Sequence, residues 1–267
     1  MKRAIQLMGI VNLTGDSFYA PSRVDSAEEL LRRAGRMLEE GADILDLGAC
    51  STRPGSLPVG EEEEWRRLKP ALEALREAFP ELPLSIDTYW SGVVERAFDI
   101  IGPFTVNDIS AGAIDPGMLP LVGRLGLPYI AMHMRGTPEN MQAFTDYPGG
   151  ITDAVHRYFE AFSEKAAEAG IRDWILDPGF GFSKTLEQNW TLLHELGDLQ
   201  DLDRPILVGV SRKSMIYKRF GLTPETALEA TQTAHRIALE QGASYLRVHD
   251  IAPARATVEQ WQAYSST

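Results

Sequence analysis

The sequence predicts a (β/α)8 barrel, and three observations carry that expectation. Eight short apolar runs each lead into a segment of helical character. The runs are apolar throughout rather than alternating, as strands are when both faces of a parallel sheet are buried. A chain of 267 residues is also the length that eight such units occupy when they close on themselves. An open doubly wound sheet allows the same alternation but requires no particular number of units. No linker, low-complexity tract or short repeat divides the chain, so residues 1–267 read as one α/β domain.

The first run, residues 4–11, contains Gln6 and leads into Asn12-Leu13-Thr14-Gly15. That is a strand rather than a leader peptide, which would end in a small-residue cleavage site. A helix is predicted over 26–40, with Ser26 as N-cap, Glu29 three residues on and Gly41 as its stop. Strand two covers 43–48, and a polar loop over 49–60 precedes a helix at 61–78. The acidic start of that helix, Glu61 to Glu64, suits the positive end of the helix dipole and reads as a solvated face.

Strands at 84–87 and 105–108 lead into helices near 91–98 and 116–125. Strand five, 129–133, is followed by a long loop to Gly150 and a helix to 169. Strand six, 174–177, ends at Asp177, and Pro178-Gly179-Phe180-Gly181 turns the chain toward Lys184, Thr185 and a helix at 186–196. Strand seven, 205–209, precedes helices over 213–220 and 224–241, and strand eight, 245–249, a last helix over 253–264.

Net charge is −12, which argues against nucleic acid, since that needs a basic face. The single cysteine, Cys50, permits no internal disulfide and suits a reducing compartment. No apolar stretch is long enough to span a bilayer.

In a barrel the chemistry gathers where the strands end. Here those ends carry Asn12, the Cys50-Ser51-Thr52-Arg53 loop, Asp87, Asn107, His133, Asp177, Ser211-Arg212-Lys213, and Arg247 with His249. Asp87 and Asp177 are open to several readings: helix caps, salt bridges to Lys213 or Arg247, an acid–base pair, or acceptors for a donor-rich heterocycle. Asn107 offers both donor and acceptor and suits the mixed edge of such a ring. Lys213 is also a candidate Schiff-base lysine, with Arg212 beside it lowering its pKa. Arg247 and His249, two apart on one strand, share a face and with Ser211 resemble an anion site. Gly179 and Gly181 make only a Gly-X-Gly, a weak phosphate signal.

The segments Met8-Gly9-Ile10-Val11-Asn12-Leu13-Thr14-Gly15-Asp16-Ser17-Phe18, Ser51-Thr52-Arg53-Pro54-Gly55, Ser85-Ile86-Asp87-Thr88 and Asn107-Asp108-Ile109-Ser110 resemble those of dihydropteroate synthases. So do Met132-His133-Met134-Arg135-Gly136, Asp177-Pro178-Gly179-Phe180-Gly181-Phe182, Gly209-Val210-Ser211-Arg212-Lys213-Ser214 and Arg247-Val248-His249-Asp250. They run in family order from residue 8 to residue 250.

The resemblance implies a TIM barrel that joins 6-hydroxymethyl-7,8-dihydropterin pyrophosphate to p-aminobenzoate, giving 7,8-dihydropteroate and pyrophosphate by a dissociative route. It implies Asp87, Lys213 and Arg53 in catalysis, and Asp87, Asn107, Asp177 and Lys213 around the pterin. Asn12, Arg247 and His249 would hold pyrophosphate, with Mg2+ on Asn12. Thr52, Arg53, Pro54, Phe182 and Ser211 would line the p-aminobenzoate pocket. Long mobile loops near 13–25 and 49–60 would close over the site. The implied setting is a cytoplasmic homodimer that acts on small molecules.

The first and second loops depart from the common family pattern. Gly15 stands where Pro is common, Tyr19-Ala20-Pro21-Ser22-Arg23 where Ser-Asp-Gly-Gly is frequent, and Cys50 where a glutamate is usual. A pterin-dependent methyltransferase, a class I aldolase using Lys213 and a non-catalytic pterin-binding barrel are the competing expectations.

Overall fold

The computed structural model describes residues 4–13, 23–50 and 59–265. Eight parallel strands form one sheet in the order β6-β5-β4-β3-β2-β1-β8-β7. They are β1 Gln6–Asn12, β2 Ile44–Gly48, β3 Leu84–Asp87, β4 Thr105–Asp108, β5 Tyr129–Met132, β6 Trp174–Asp177, β7 Leu207–Val208 and β8 Tyr245–Val248. Between β6 and β7 the barrel is joined by a single bridge, Leu176 to Ile206, with the Leu176 amide donating to Pro205 O at 3.0 Å. The barrel is therefore nearly closed, as the sequence predicts. The seventh strand is shorter than the predicted 205–209.

Nine α-helices among the described residues surround the sheet: α1 Arg23–Glu39, α2 Glu61–Ala78, α3 Ser91–Ile101, α4 Met118–Leu125, α5 Ile151–Glu168, α6 Leu186–His194, α7 Ser214–Arg219, α8 Leu228–Glu240 and α9 Ile251–Ser265. None is long and apolar enough to cross a membrane. The main core lies between helices and sheet, and buries Leu45, Leu47, Val106, Leu176 and Val248 against Leu68, Leu72, Val93, Phe159 and Leu193.

A second apolar layer fills the barrel interior. Met8, Ile130, Ile175 and Leu207 form it, with Ile44 and Tyr245 packed against them. Two residues further along these strands, on the same inward face, come Asp46, Asp177 and Arg247. The barrel is thus a dry plug with a polar layer set on top.

Several boundaries differ from the sequence reading for local reasons. Helix α1 begins at Arg23, so Ser26 lies inside its first turn and does not cap it. A tight turn, in which the Thr223 amide donates to Thr226 Oγ1 at 3.0 Å, delays α8 to Leu228. Helix α6 carries the capping box instead: Thr185 Oγ1 accepts from the Gln188 amide, and Gln188 Oε1 from the Thr185 amide.

The acidic start of α2 is also not uniformly solvated. Glu61 and Glu62 pair with Arg96, and Glu63 with Arg66 and Arg67, but Glu64 is fully buried. Helical spacing places Glu64 on the face of Leu68, Ala71, Leu72 and Leu75. Burial pushes its carboxyl up to about 8. The tips of the two loops expected to close over the barrel, with Gly15, Thr52, Arg53 and Pro54, lie outside the described residues.

Candidate active site

Ladder register sets Asn12 beside Gly48, Gly48 beside Asp87, and Asp87 beside Asn107. Three of these four neighbouring strands therefore deliver a polar side chain at one level, with Gly48 between Asn12 and Asp87. Asp177 joins them from the far side of the barrel, level with Met132. Asn107 and Asp177 are buried, whereas Asn12 is exposed at the rim. Asp108, one residue past Asn107, faces the other way. It accepts from Tyr129 Oη at 2.6 Å and from the amides of Ser110 and Gly112, which fixes the turn after β4.

The floor of the site is an ion cluster. Arg247 Nε donates to Asp46 Oδ2 at 2.6 Å, and Arg247 Nη2 to Asp87 Oδ2 at 2.9 Å. Asn107 Nδ2 donates to the same Asp46 Oδ2 at 3.1 Å. Two carboxylates share one guanidinium, so the ionised cluster carries a net negative charge. Burial holds the Asp87 carboxyl up at about 7; Asp46 and Asp108 push the same way, while Arg247 and Lys213 oppose them.

Opposite this cluster stands the turn after β6. The Gly179 amide donates to Asp177 Oδ1 at 2.8 Å. Burial raises the Asp177 carboxyl, against the pull of Lys213 and that amide. Lys213 Nζ donates to Phe180 O at 2.7 Å and lies 4.9 Å above the Phe182 ring. Burial lowers Lys213 to about 8, so it stays mostly charged at neutral pH. An ammonium tied to a carbonyl and stacked on a ring is poorly placed to act as a Schiff-base amine.

Lys184 underpins the turn. It is buried, and its Nζ donates to Gly179 O at 2.9 Å, Phe182 O at 3.1 Å and His133 Nδ1 at 2.9 Å. Burial pulls His133 down to about 2, so its ring is neutral and Nδ1 accepts. The polar residue at the end of strand five therefore supports the site from below.

The predicted anion group divides. Arg247 turns into the barrel floor. His249 lines a cleft of about 290 Å³ between α1 and α9, with Arg33, Arg36 and Asp250. Burial, with Arg247 next, lowers His249 to about 4. Ser211 Oγ accepts from the His249 amide at 3.2 Å, which ties the ends of β7 and β8 together.

Arg212 departs from the expectation that it lowers the Lys213 pKa. Its backbone is left-handed, with φ 53°, and its guanidinium clasps Asp250 through two hydrogen bonds of 2.7 and 3.0 Å. Burial and Arg247 are what lower Lys213.

The structure thus brings Asp87, Asn107, Asp177, Lys213, Phe182 and Arg247 around one barrel mouth. Asp46, Lys184 and Glu64 are the residues that strand-end reading passes over. Among the described residues no group of three His, Cys, Asp or Glu could hold a metal ion. Asn12 supplies one exposed amide at the rim, enough for a hard cation that takes its other oxygens from phosphate and water.

A family profile described as pterin binding enzyme matches residues 8–249. The dihydropteroate synthase of Escherichia coli K12 is 37% identical over 263 residues, covering 98% of this chain and 91% of that protein. Among solved structures, the Yersinia pestis dihydropteroate synthase with a sulfonamide drug superposes with a TM-score of 0.91 at 37% identity, covering 99% of this chain and 95% of that one. The Xanthomonas albilineans dihydropteroate synthase with 4-aminobenzoic acid gives 0.89 at 38% identity, covering 99% and 94%.

Proposed function

The chain belongs to the pterin binding enzyme family and is a dihydropteroate synthase, a transferase, and on that premise we propose how its barrel mouth carries out the reaction. The observation that carries the proposal is a set of buried polar groups at one barrel mouth. Asp177 at the end of β6 and Asn107 near the end of β4 are both buried, and Asn107 donates to Asp46 in a negatively charged floor. The amino-pyrimidinone edge of a pterin offers an N–H and an amino group side by side, the donors a carboxylate accepts as a parallel pair. Asp177 takes those donors, Asn107 takes the mixed edge, and Lys213 takes the ring carbonyl.

The reactive methylene then lies toward the Asp87 and Arg247 side. Cleavage of its C–O bond sends the electron pair to pyrophosphate and leaves a cation delocalised over the pterin. The ionised Asp46–Asp87–Arg247 cluster, net negative, is arranged to stabilise that cation. The p-aminobenzoate nitrogen attacks the methylene, forms the C–N bond and loses a proton. Phe182 and Ser211, with Thr52, Arg53 and Pro54 from the second loop, make the pocket for this second substrate, and Arg53 completes the catalytic set.

The family resemblance assigns pyrophosphate to Asn12, Arg247 and His249, although Arg247 is bonded into the floor and His249 lines the cleft between α1 and α9. Mg2+ fits this arrangement as a cation bound mainly through the substrate's phosphates, with the Asn12 amide oxygen as its protein ligand. When bound, it offsets the charge on the departing pyrophosphate. The family resemblance that supports these roles also supports a homodimer working in the cytoplasm.

Pyrophosphate release from the dihydropterin pyrophosphate is the direct test. Release that requires p-aminobenzoate and Mg2+, with dihydropteroate formed in equal amount, is the expected result. Release without p-aminobenzoate would show that the second pocket does not operate as described. Asp177→Asn is expected to weaken pterin binding by about tenfold or more, because the amide offers one acceptor where the ring needs two. Calorimetry with an unaltered affinity would count against Asp177 as the pterin anchor.

A further inference from the structure

We propose that Asp46 is a positioning residue of the pterin site, fixing which end of the Asn107 amide faces the ring and holding Arg247 in line with Asp87. The inference rests on the pterin placement proposed above.

Asp46 sits in the middle of β2 and is fully buried. Its Oδ2 takes hydrogen bonds from Asn107 Nδ2 and Arg247 Nε, at 3.1 and 2.6 Å. A carboxylate only accepts, so Asn107 has to turn its NH2 group toward Asp46 and its carbonyl oxygen away. Without that partner the amide could flip, and a flipped amide would present a donor where the ring needs an acceptor. The same carboxylate oxygen pins Nε of Arg247, which leaves Nη2 for Asp87.

Asp46 Oδ1 is buried and has no hydrogen-bond partner among the described residues. Asp46 lies two residues before the end of β2, with Oδ2 committed to Asn107 and Arg247, and it acts through these neighbours. Arg247 would need only Asp87 as a counter-ion. The second carboxylate turns a neutral pair into a net negative cluster, and a buried charge of this kind is costly unless something uses it. A cation forming above the cluster is such a use.

Asp87 is also faced by Asp108 from β4, Lys213 after β7 and Arg247 from β8, and Glu64 of α2 lies near enough to sense it. Asp46 faces Asp87 as well, and Asp46→Asn removes that negative charge while keeping a side chain of the same shape in the cluster.

Asp46→Asn is expected to weaken binding of the dihydropterin pyrophosphate about tenfold in calorimetry. It should also move the acid limb of kcat/KM to lower pH by half a unit or more, since Asp87 loses a negative neighbour. A merely structural role would not move that limb. The exchanged pair Asp46→Asn/Asn107→Asp keeps a hydrogen bond and the charge count, and so guards against simple misfolding. Because it places a carboxylate toward the ring, the loss of affinity should persist.

Affinity within twofold of the parent with an unmoved acid limb would overturn the proposal, as would restored affinity in the exchanged pair. Asp177→Asn serves as the control. If it weakens binding while Asp46→Asn does not, this inference alone falls; if it too leaves binding unchanged, the pterin placement falls and this inference with it.

Discussion

Asp87→Asn is expected to lower kcat by about a thousandfold while pterin affinity falls by less than about tenfold. The asymmetry follows from where Asp87 sits. In the proposed placement Asp177 and Asn107 hold the ring in the ground state, whereas Asp87, bonded to Arg247, belongs to the charged floor below the bond that breaks. Its interaction strengthens as the methylene becomes cationic, and an interaction made mainly in the transition state appears in kcat. Single-turnover measurement of dihydropteroate formation reads the chemical step, and calorimetry reads ground-state binding. Unchanged turnover would remove Asp87 from the mechanism.

The same residue gives the reaction a pH signature. Burial holds Asp87 up at about 7, so its negative charge is present above that pH and is lost below it. For the parent, kcat/KM should fall as pH drops through about 7, and Asp87→Asn should flatten that limb. Stability runs the opposite way. A carboxyl raised above its unfolded value costs stability where it is ionised, so relief grows as pH falls from about 7 toward 4. Glu64, pushed up to about 8, contributes in the same direction. Denaturant midpoints across this range should show the trend, and it should weaken in Asp87→Asn. The proposed mechanism thus requires the floor to be charged at the pH where that charge costs the fold most.

The strand ends were legible because they alternate between two chemistries. Asp87, Asn107 and Asp177 each close an apolar run, and the structure places all three around one mouth. Asp46 was harder to see because it lies inside a run, two residues before Gly48, where a strand read only as apolar conceals its inward face. The period-two spacing of Ile44 and Asp46 was the available signal. Glu64 was hidden in a run of four glutamates, although its spacing to Leu68 and Leu75 matches the buried face of α2.

Lys184 carried no comparable signal. Its partner His133 is 51 residues away in sequence, and only the pairing of β5 with β6 brings them together. Arg212 misled through adjacency: its left-handed backbone sends it to Asp250 while Lys213 turns inward. The family resemblance placed Thr52, Arg53 and Pro54 in the second pocket, on the loop outside the described residues.

Gly179→Ala should be the most disruptive single-methyl change in the site. Gly179 has φ 72°, a region that strains L side chains, and a Cβ there would lie 2.1 Å from the carbonyl oxygen of His133. That oxygen is backbone, so the neighbour cannot swing aside. Gly126 provides the comparison, in the left-handed region at φ 65° and ψ 31° with no described atom within 4 Å of where its Cβ would stand. Gly126→Ala should cost only the backbone strain, about 1 kcal/mol. Gly179→Ala should add the collision and reach about 3 kcal/mol or more, read as a lower urea midpoint. The damage should also reach the chemistry. The Gly179 amide holds Asp177, and its carbonyl accepts from Lys184, so moving this turn shifts the pterin anchor and the Lys213 seat together. Pterin affinity should fall at least as far as in Asp177→Asn. Equal losses of stability in the two alanine variants, with pterin affinity intact, would show that the turn yields where its geometry says it cannot.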